Sequence, residues 1–162
     1  MTITIELNRE CLHQLDLSPA ETTIEKLLAE GTIAACEQQI RFQIDYPRDP
    51  QDPRELSEVP EIRLWFVRLD ARYPWLPFLL DPKAGELARY VAMLVPHQFH
   101  RTEGIQYNPE ALEIFLMHKI FILADWLAEQ KITSISRLKS LSQMLGYDLD
   151  EGLFELISSS ST

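Results

Sequence analysis

Cysteine is scarce in this chain: its 162 residues include only Cys11 and Cys36. The two form no CxxC and no zinc-type spacing, and they cannot alone supply the four thiolates an iron–sulfur cluster usually takes. Free thiols in a reducing compartment are the expectation. Glycine is scarce too, at five residues, which leaves little material for tight cofactor cradles. The sequence contains no glycine-rich phosphate loop, no GxSxG and no HExxH. No apolar run reaches the roughly 18 uninterrupted residues that suggest a membrane-spanning helix. The start, Met1-Thr2-Ile3-Thr4-Ile5-Glu6, lacks the basic segment and apolar run of a secretory signal. A cytoplasmic protein without integral membrane insertion, and with no cofactor or metal of its own, is therefore expected.

Positive charge is also in deficit. Fifteen Lys and Arg face 25 Asp and Glu, a net charge of −10. Such a chain repels phosphate backbones and anionic lipid surfaces, which argues against nucleic acid as a partner. The deficit is uneven. Arg54 to Glu103 holds seven basic and seven acidic residues, so the flanks carry the whole acidic excess. The middle is neutral and rich in arginine and tryptophan, a composition seen at interfaces.

Length and a hydrophobic fraction of 46% suit one globular domain with a real core. The expectation is a helix-rich α+β domain over residues 1–157 with a small N-terminal β-sheet, and a disordered Ser-rich tail at 158–162. Thr2–Leu7 and Ile40–Tyr46 alternate as half-buried strands. Ser18-Pro19-Ala20-Glu21 reads as a helix start with Ser18 as cap, and the helix stops at Gly31. Prolines 47, 50, 53 and 60 mark an extended connection. Glu61–Tyr73 reads as a helix with one stripe of Ile62, Phe66, Leu69 and Tyr73, and a second of Glu61, Trp65, Arg68 and Arg72. Asp81-Pro82 and Asn108-Pro109 each read as a cap followed by a first-turn proline. The helix after Asn108 is apolar nearly all round, which predicts burial on every side. His118 is expected to be buried with a carboxylate partner such as Asp125.

Between the helices begun at Asp81-Pro82 and at Asn108-Pro109 runs Pro96–Pro109, read as a polar loop with a short strand at Ile105–Tyr107. His97, His100 and Glu103 at intervals of three would share a helix face and could hold a metal. With Arg101 they could serve a small enzyme. Against this, Pro96 and Gly104 favour a loop, and no third His or Cys lies nearby. The Trp65, Arg68, Arg72 stripe, with Trp75 and Phe78 after it, is suggestive, because Trp and Arg are residue types that dominate binding hot spots. The plainer alternative makes Trp65 a core residue edged by arginine stems, and Pro74–Leu80 a buried crossover.

The strings RLWFVRLDARYPWLP (63–77), KAGELARY (83–90), VPHQF (95–99) and EGIQYNPEAL (103–112) resemble the chlororespiratory reduction 6 family of cyanobacteria and plastids. The resemblance spans Asp52 to Leu127. It implies an assembly factor, not an enzyme: a chaperone-like protein for the iron–sulfur I subunit (NdhI) of the photosynthetic NAD(P)H dehydrogenase-like complex. It carries no catalytic residues across, and it implies a stromal location in plastid relatives. The expected partner-binding residues are Trp65, Arg68, Arg72, Trp75, Phe78, His97, His100, Arg101 and Glu103. A small metal-binding protein or enzyme using His97, His100 and Glu103 is the alternative.

Overall fold

The computed structural model describes residues 2–100, 102, 104–131 and 135–160. They form a helix-rich α+β arrangement with a small N-terminal sheet. The chain divides into two compact units, Met1–Pro96 and His97–Thr162.

The first unit opens with β1 (Ile3–Asn8), α1 (Arg9–His13) and α2 (Ser18–Ala29), followed by β2 (Ile40–Asp45). The two strands pair in parallel, Ile3 opposite Ile40 and Asn8 opposite Asp45. Their alternation has the expected consequence. Ile5, Leu7, Ile40 and Phe42 are buried, while Thr4, Glu6, Arg41 and Gln43 are exposed. Parallel strands are usually covered on both faces; this pair has a polar outer face. The Asn8 side chain caps α1 by accepting the Cys11 N–H at 2.8 Å. The start of α2 departs from expectation. Ser18 is already helical and makes no cap; the Asp16 carboxylate accepts the Ser18 N–H at 2.9 Å instead.

After the proline-rich connection comes α3 (Pro60–Arg72); Pro60, assigned to the connection by sequence, is the first residue of the helix instead, where its missing N–H costs nothing. Ile62, Trp65, Phe66 and Leu69 form its buried face. Phe42, Trp65, Phe66 and Tyr90 pack edge to face, with centroids 5.0–6.2 Å apart. The Trp65 indole N–H, inside a residue that is 0% exposed, donates to the Asp16 carbonyl at 2.7 Å. The crossover that follows is buried at Leu76–Leu80.

Next comes α4 (Glu86–Leu94), which begins later than Asp81-Pro82 suggested. Gly85 takes a left-handed conformation, φ 72°, which interrupts any helix started at Pro82. The Asp81 carboxylate accepts the Lys83 N–H in a local turn. Glu86 is buried, with Arg89 Nη1 at 2.7 Å from its carboxylate.

The second unit opens with a hairpin, β3 (His97–His100) and β4 (Gly104–Tyr107), in register His97 opposite Tyr107 and His100 opposite Gly104. The expected loop is thus half strand before Ile105 as well as after it. Phe99, Ile105 and Tyr107 have strong strand preference, and pairing satisfies backbone groups that a loop would leave to water. Then α5 (Pro109–Glu129) starts as expected, with the Asn108 side chain accepting the Glu110 and Ala111 N–H groups at 3.1 and 3.3 Å. Its burial is one-sided. Leu112, Leu116, Ile120, Leu123 and Leu127 are buried, while Ile114 and Phe121 are exposed. Within its unit, α6 (Ile135–Met144) and α7 (Glu151–Ser160) pack on α5, and two short helices cannot surround twenty-one residues. His118 is exposed, as is Asp125; the buried polar residue of this helix is Lys119, its Nζ 5.6 Å from the Phe115 ring centroid. A Tyr147 hydroxyl donating to the Pro109 carbonyl at 3.2 Å ties the end of α6 to the start of α5. Ser158–Ser160, assigned to the tail by sequence, lie within α7.

Two outcomes follow for the first unit. Trp65→Ala should cost about 3–5 kcal/mol of stability, and Trp65→Phe, which mainly removes the indole donor, about 1–2 kcal/mol, read by urea denaturation. Burial raises the affinity of Glu86 for its proton, with Arg89 opposing the shift. A raised folded-state pKa means that folding takes up a proton, so the Glu86 contribution falls as pH rises above the ordinary glutamate range. Glu86→Gln should therefore flatten the pH dependence of the unfolding midpoint there.

Candidate partner-binding surface

The outer face of α3 is set by its inner one. With Ile62, Trp65, Phe66 and Leu69 fixed in the core, the helical repeat turns Leu64, Val67, Arg68, Ala71 and Arg72 outward. Leu64 is 46% exposed and Val67 45%. Arg68 is exposed and makes no ion pair among the described residues. The result is a stripe of apolar side chains bordered by guanidinium groups on a helix that its aromatic core holds rigid.

At the C-terminal end of the stripe, Arg72 Nε lies 3.0 Å from Glu21 Oε1, and its Nη2 lies 3.6 Å from Glu25 Oε1. Its Nε also donates to the Tyr73 hydroxyl at 3.4 Å, and the hydroxyl donates to Glu25 at 3.3 Å. Burial pushes the Tyr73 phenol pKa up. Trp75, half-buried, meets the Tyr73 ring edge-on at 5.6 Å. These contacts pin α3 to α2 and leave part of the Trp75 ring exposed.

Arg63, on the same helix, does different work. Its guanidinium donates to the carbonyls of Ser57 at 3.0 Å, Ala92 at 3.3 Å and Val95 at 3.3 Å. Two of these belong to the C-terminal end of α4, where a cation also answers the helix dipole. Burial lowers the Arg63 pKa.

The nine residues singled out by sequence thus separate. Arg68, Arg72 and Trp75 share the α3 surface. Trp65 and Phe78 are core residues, the first hydrogen-bonded to Asp16. His97 is half-buried at the start of β3, in the second unit. Arg101 and Glu103 lie outside the described residues, as does the His100 side chain. The helix-face argument that joined His97 to His100 does not apply, because positions three apart on a strand fall on opposite faces. Among the described residues, no three His, Cys, Asp or Glu side chains are grouped to hold a metal ion. No described helix is long and apolar enough to cross a membrane.

Sequence reasoning missed Leu64 and Val67. Their signal was available: they stand at i and i+3 with Arg68 at i+4, off both stripes read along this helix.

These features define a helix-rich α+β protein whose described polar groups largely brace its own helices, and which presents a mixed apolar and arginine surface outward. The sequence model of the family described as chlororespiratory reduction 6 matches residues 7–156, and the chain belongs to that family. The family is an assembly-factor family linked to the chlororespiratory NAD(P)H dehydrogenase-like complex, and is not a known enzyme family. No solved structure matches this chain.

The two arginines on α3 should respond differently to removal. Arg63→Met should destabilise by about 2–4 kcal/mol, because buried carbonyls lose their donor. Arg72→Ala should barely move the denaturation midpoint, since surface ion pairs contribute little. Parallel urea titrations would check both.

Proposed function

We propose that the protein binds the iron–sulfur I subunit of the NAD(P)H dehydrogenase-like complex before or during assembly of the hydrophilic arm, and that it works as a chaperone-like binder without catalysis. Family membership supports the complex as the setting. The observation that carries the reading is the outer face of α3, where Leu64, Val67, Arg68, Arg72 and the Trp75 edge combine exposed apolar area with guanidinium donors. Arginine and tryptophan are the residue types enriched at binding hot spots. A rigid helix bearing them loses little conformational entropy on docking. The acidic flanks keep the protein charged and dispersed while that face is engaged. Action in the cytoplasm, or in the stroma of plastid relatives, follows from this role.

The test is capture of the separately expressed I subunit by the tagged protein. Wild type should retain it. Val67→Asp combined with Arg68→Glu should lose most of the capture, as should Trp75→Ala to a smaller degree. Val67 and Arg68 lie at the surface, so circular dichroism of the double variant should remain that of the wild type, and the half-buried Trp75 is compared only where its variant stays folded by the same measure. Undiminished capture by the folded variants would remove the α3 face from the mechanism. Absence of capture by wild type would remove the I subunit itself.

A further inference from the structure

The outer edge of β2 lies open beside an arginine-lined cleft. Parallel pairing directs alternate residues of a strand to opposite edges. The Ile3 N–H donates to the Gln39 carbonyl, so residues 39, 41 and 43 address β1. Residues 40, 42 and 44 address the other edge. Two of these three face groups there: the Ile40 carbonyl accepts the Asp81 N–H at 2.8 Å, and the Phe42 N–H stabilises the ionised Glu86 carboxylate. Beyond them, the N–H and carbonyl of Ile44 make no hydrogen bond among the described residues. The edge is therefore closed at its start and open at its end.

The open part faces a cleft of about 540 Å³, of the size that accommodates ligands and short peptide segments. Its far wall is the 3-10 turn Leu56–Glu58 and α4, through Ser57, Arg89 and Ala92. Arg41 and Arg48 also line it. Three carboxylates lie near, and all are engaged. Glu86 pairs with Arg89, and Glu58 accepts the Glu55 N–H at 2.7 Å. Glu55 caps the 3-10 turn with its side chain. Among the described residues Arg48 donates to the Arg54 carbonyl and Arg41 makes no ion pair; Asp52 and Glu86 lie within electrostatic reach of Arg48 and Arg41 respectively, but neither is in salt-bridge contact with them. In a chain of net charge −10, three arginines around one cleft are a local reversal of sign.

We propose that this cleft binds an extended, acidic peptide segment of a partner protein, which adds to the edge of β2 at Ile44 while its carboxylates meet Arg41 and Arg48. Main-chain hydrogen bonds at a sheet edge supply affinity for any extended segment, and the flanking side chains supply the choice. Carboxylates recognised by guanidinium groups form paired, charge-assisted bonds. The site uses no α3 side chain, so it stands or falls separately from the docking face described above.

The full-length protein and three synthetic peptides of about eight residues test this, the length being that of an added strand. One alternates Glu and Val, one alternates Lys and Val, and one is the Glu–Val peptide N-methylated at alternate amides. Fluorescence anisotropy should give the Glu–Val peptide a Kd roughly tenfold or more below that of the Lys–Val peptide. N-methylation should cost a similar factor, and the Ile44 amide should show one of the largest NMR shifts. Arg41→Glu with Arg48→Glu should invert the charge preference. If that variant unfolds, Arg41→Gln with Arg48→Gln should still abolish it. Equal binding of acidic and basic peptides, indifference to N-methylation, a silent Ile44 amide, or no binding at millimolar peptide would each overturn the proposal.

Discussion

The hydrogen bond from the Trp65 indole to the Asp16 carbonyl is the constraint on which the first unit turns. A tryptophan buries more apolar area than any other side chain, but its N–H must find an acceptor when buried. Here the acceptor is main chain, in the segment joining α1 to α2. One side chain thereby fixes the azimuth of α3 against the start of the chain, forty-nine residues away. Phe42, Phe66 and Tyr90 complete the packing edge to face, so β2 and α4 are held by the same cluster. Rotating α3 about its axis would break that hydrogen bond and part the rings together. The outer face of the helix is consequently as well defined as the core, although nothing among the described residues covers Leu64 or Val67 to the extent of burying them.

Arginine makes the same point from the other side. Composition marks the middle of the chain as arginine-rich, but the residues divide by environment. Arg63 is a structural donor to helix-end carbonyls, Arg72 is braced by two glutamates, Arg89 neutralises a buried glutamate, and Arg68 faces water. Only position relative to the core separates these roles, and a count of charges cannot. A guanidinium suits all of them because it stays protonated whether buried or exposed and offers five donors in a fixed plane.

What could be read in the sequence was what depends on neighbours along the chain. The alternation of Ile3, Ile5 and Leu7, the proline in the first turn of α5, and the Asn108 cap are local and appear where expected. The failures are nonlocal. Whether Asp81 caps a helix or makes a turn depends on the left-handed backbone at Gly85. Whether Gln98 and Phe99 form a strand depends on their partners Gln106 and Ile105. An apolar helix reads as buried on every side, but the exposure of Ile114 and Phe121 depends on how many elements reach α5. The candidate binding residues follow the same rule. The tryptophan and arginines were conspicuous by type, whereas the burial of Trp65 and the exposure of Val67 are decided by the facing core. The cleft beside β2 is not legible in the sequence because Arg41, Arg48 and Arg89 are dispersed along the chain, and only the fold assembles them.

The two surfaces proposed for the first unit differ in what they demand of a partner. The α3 face offers side chains at fixed spacing and requires a complementary folded surface. The β2 edge offers main-chain groups and requires only that a segment be extended and carry acidic side chains. An immature subunit presents both kinds of feature, folded parts and strands not yet paired. Edge pairing shields an unpaired strand from the self-association that exposed strands invite. It is also readily reversed, since a short added strand with surface charges has few buried contacts to break. A factor that must release its client into a larger assembly is better served by two modest sites than by one tight one. Linked sites raise the effective concentration of each other while both are engaged, and lose that advantage together when the client folds or docks elsewhere.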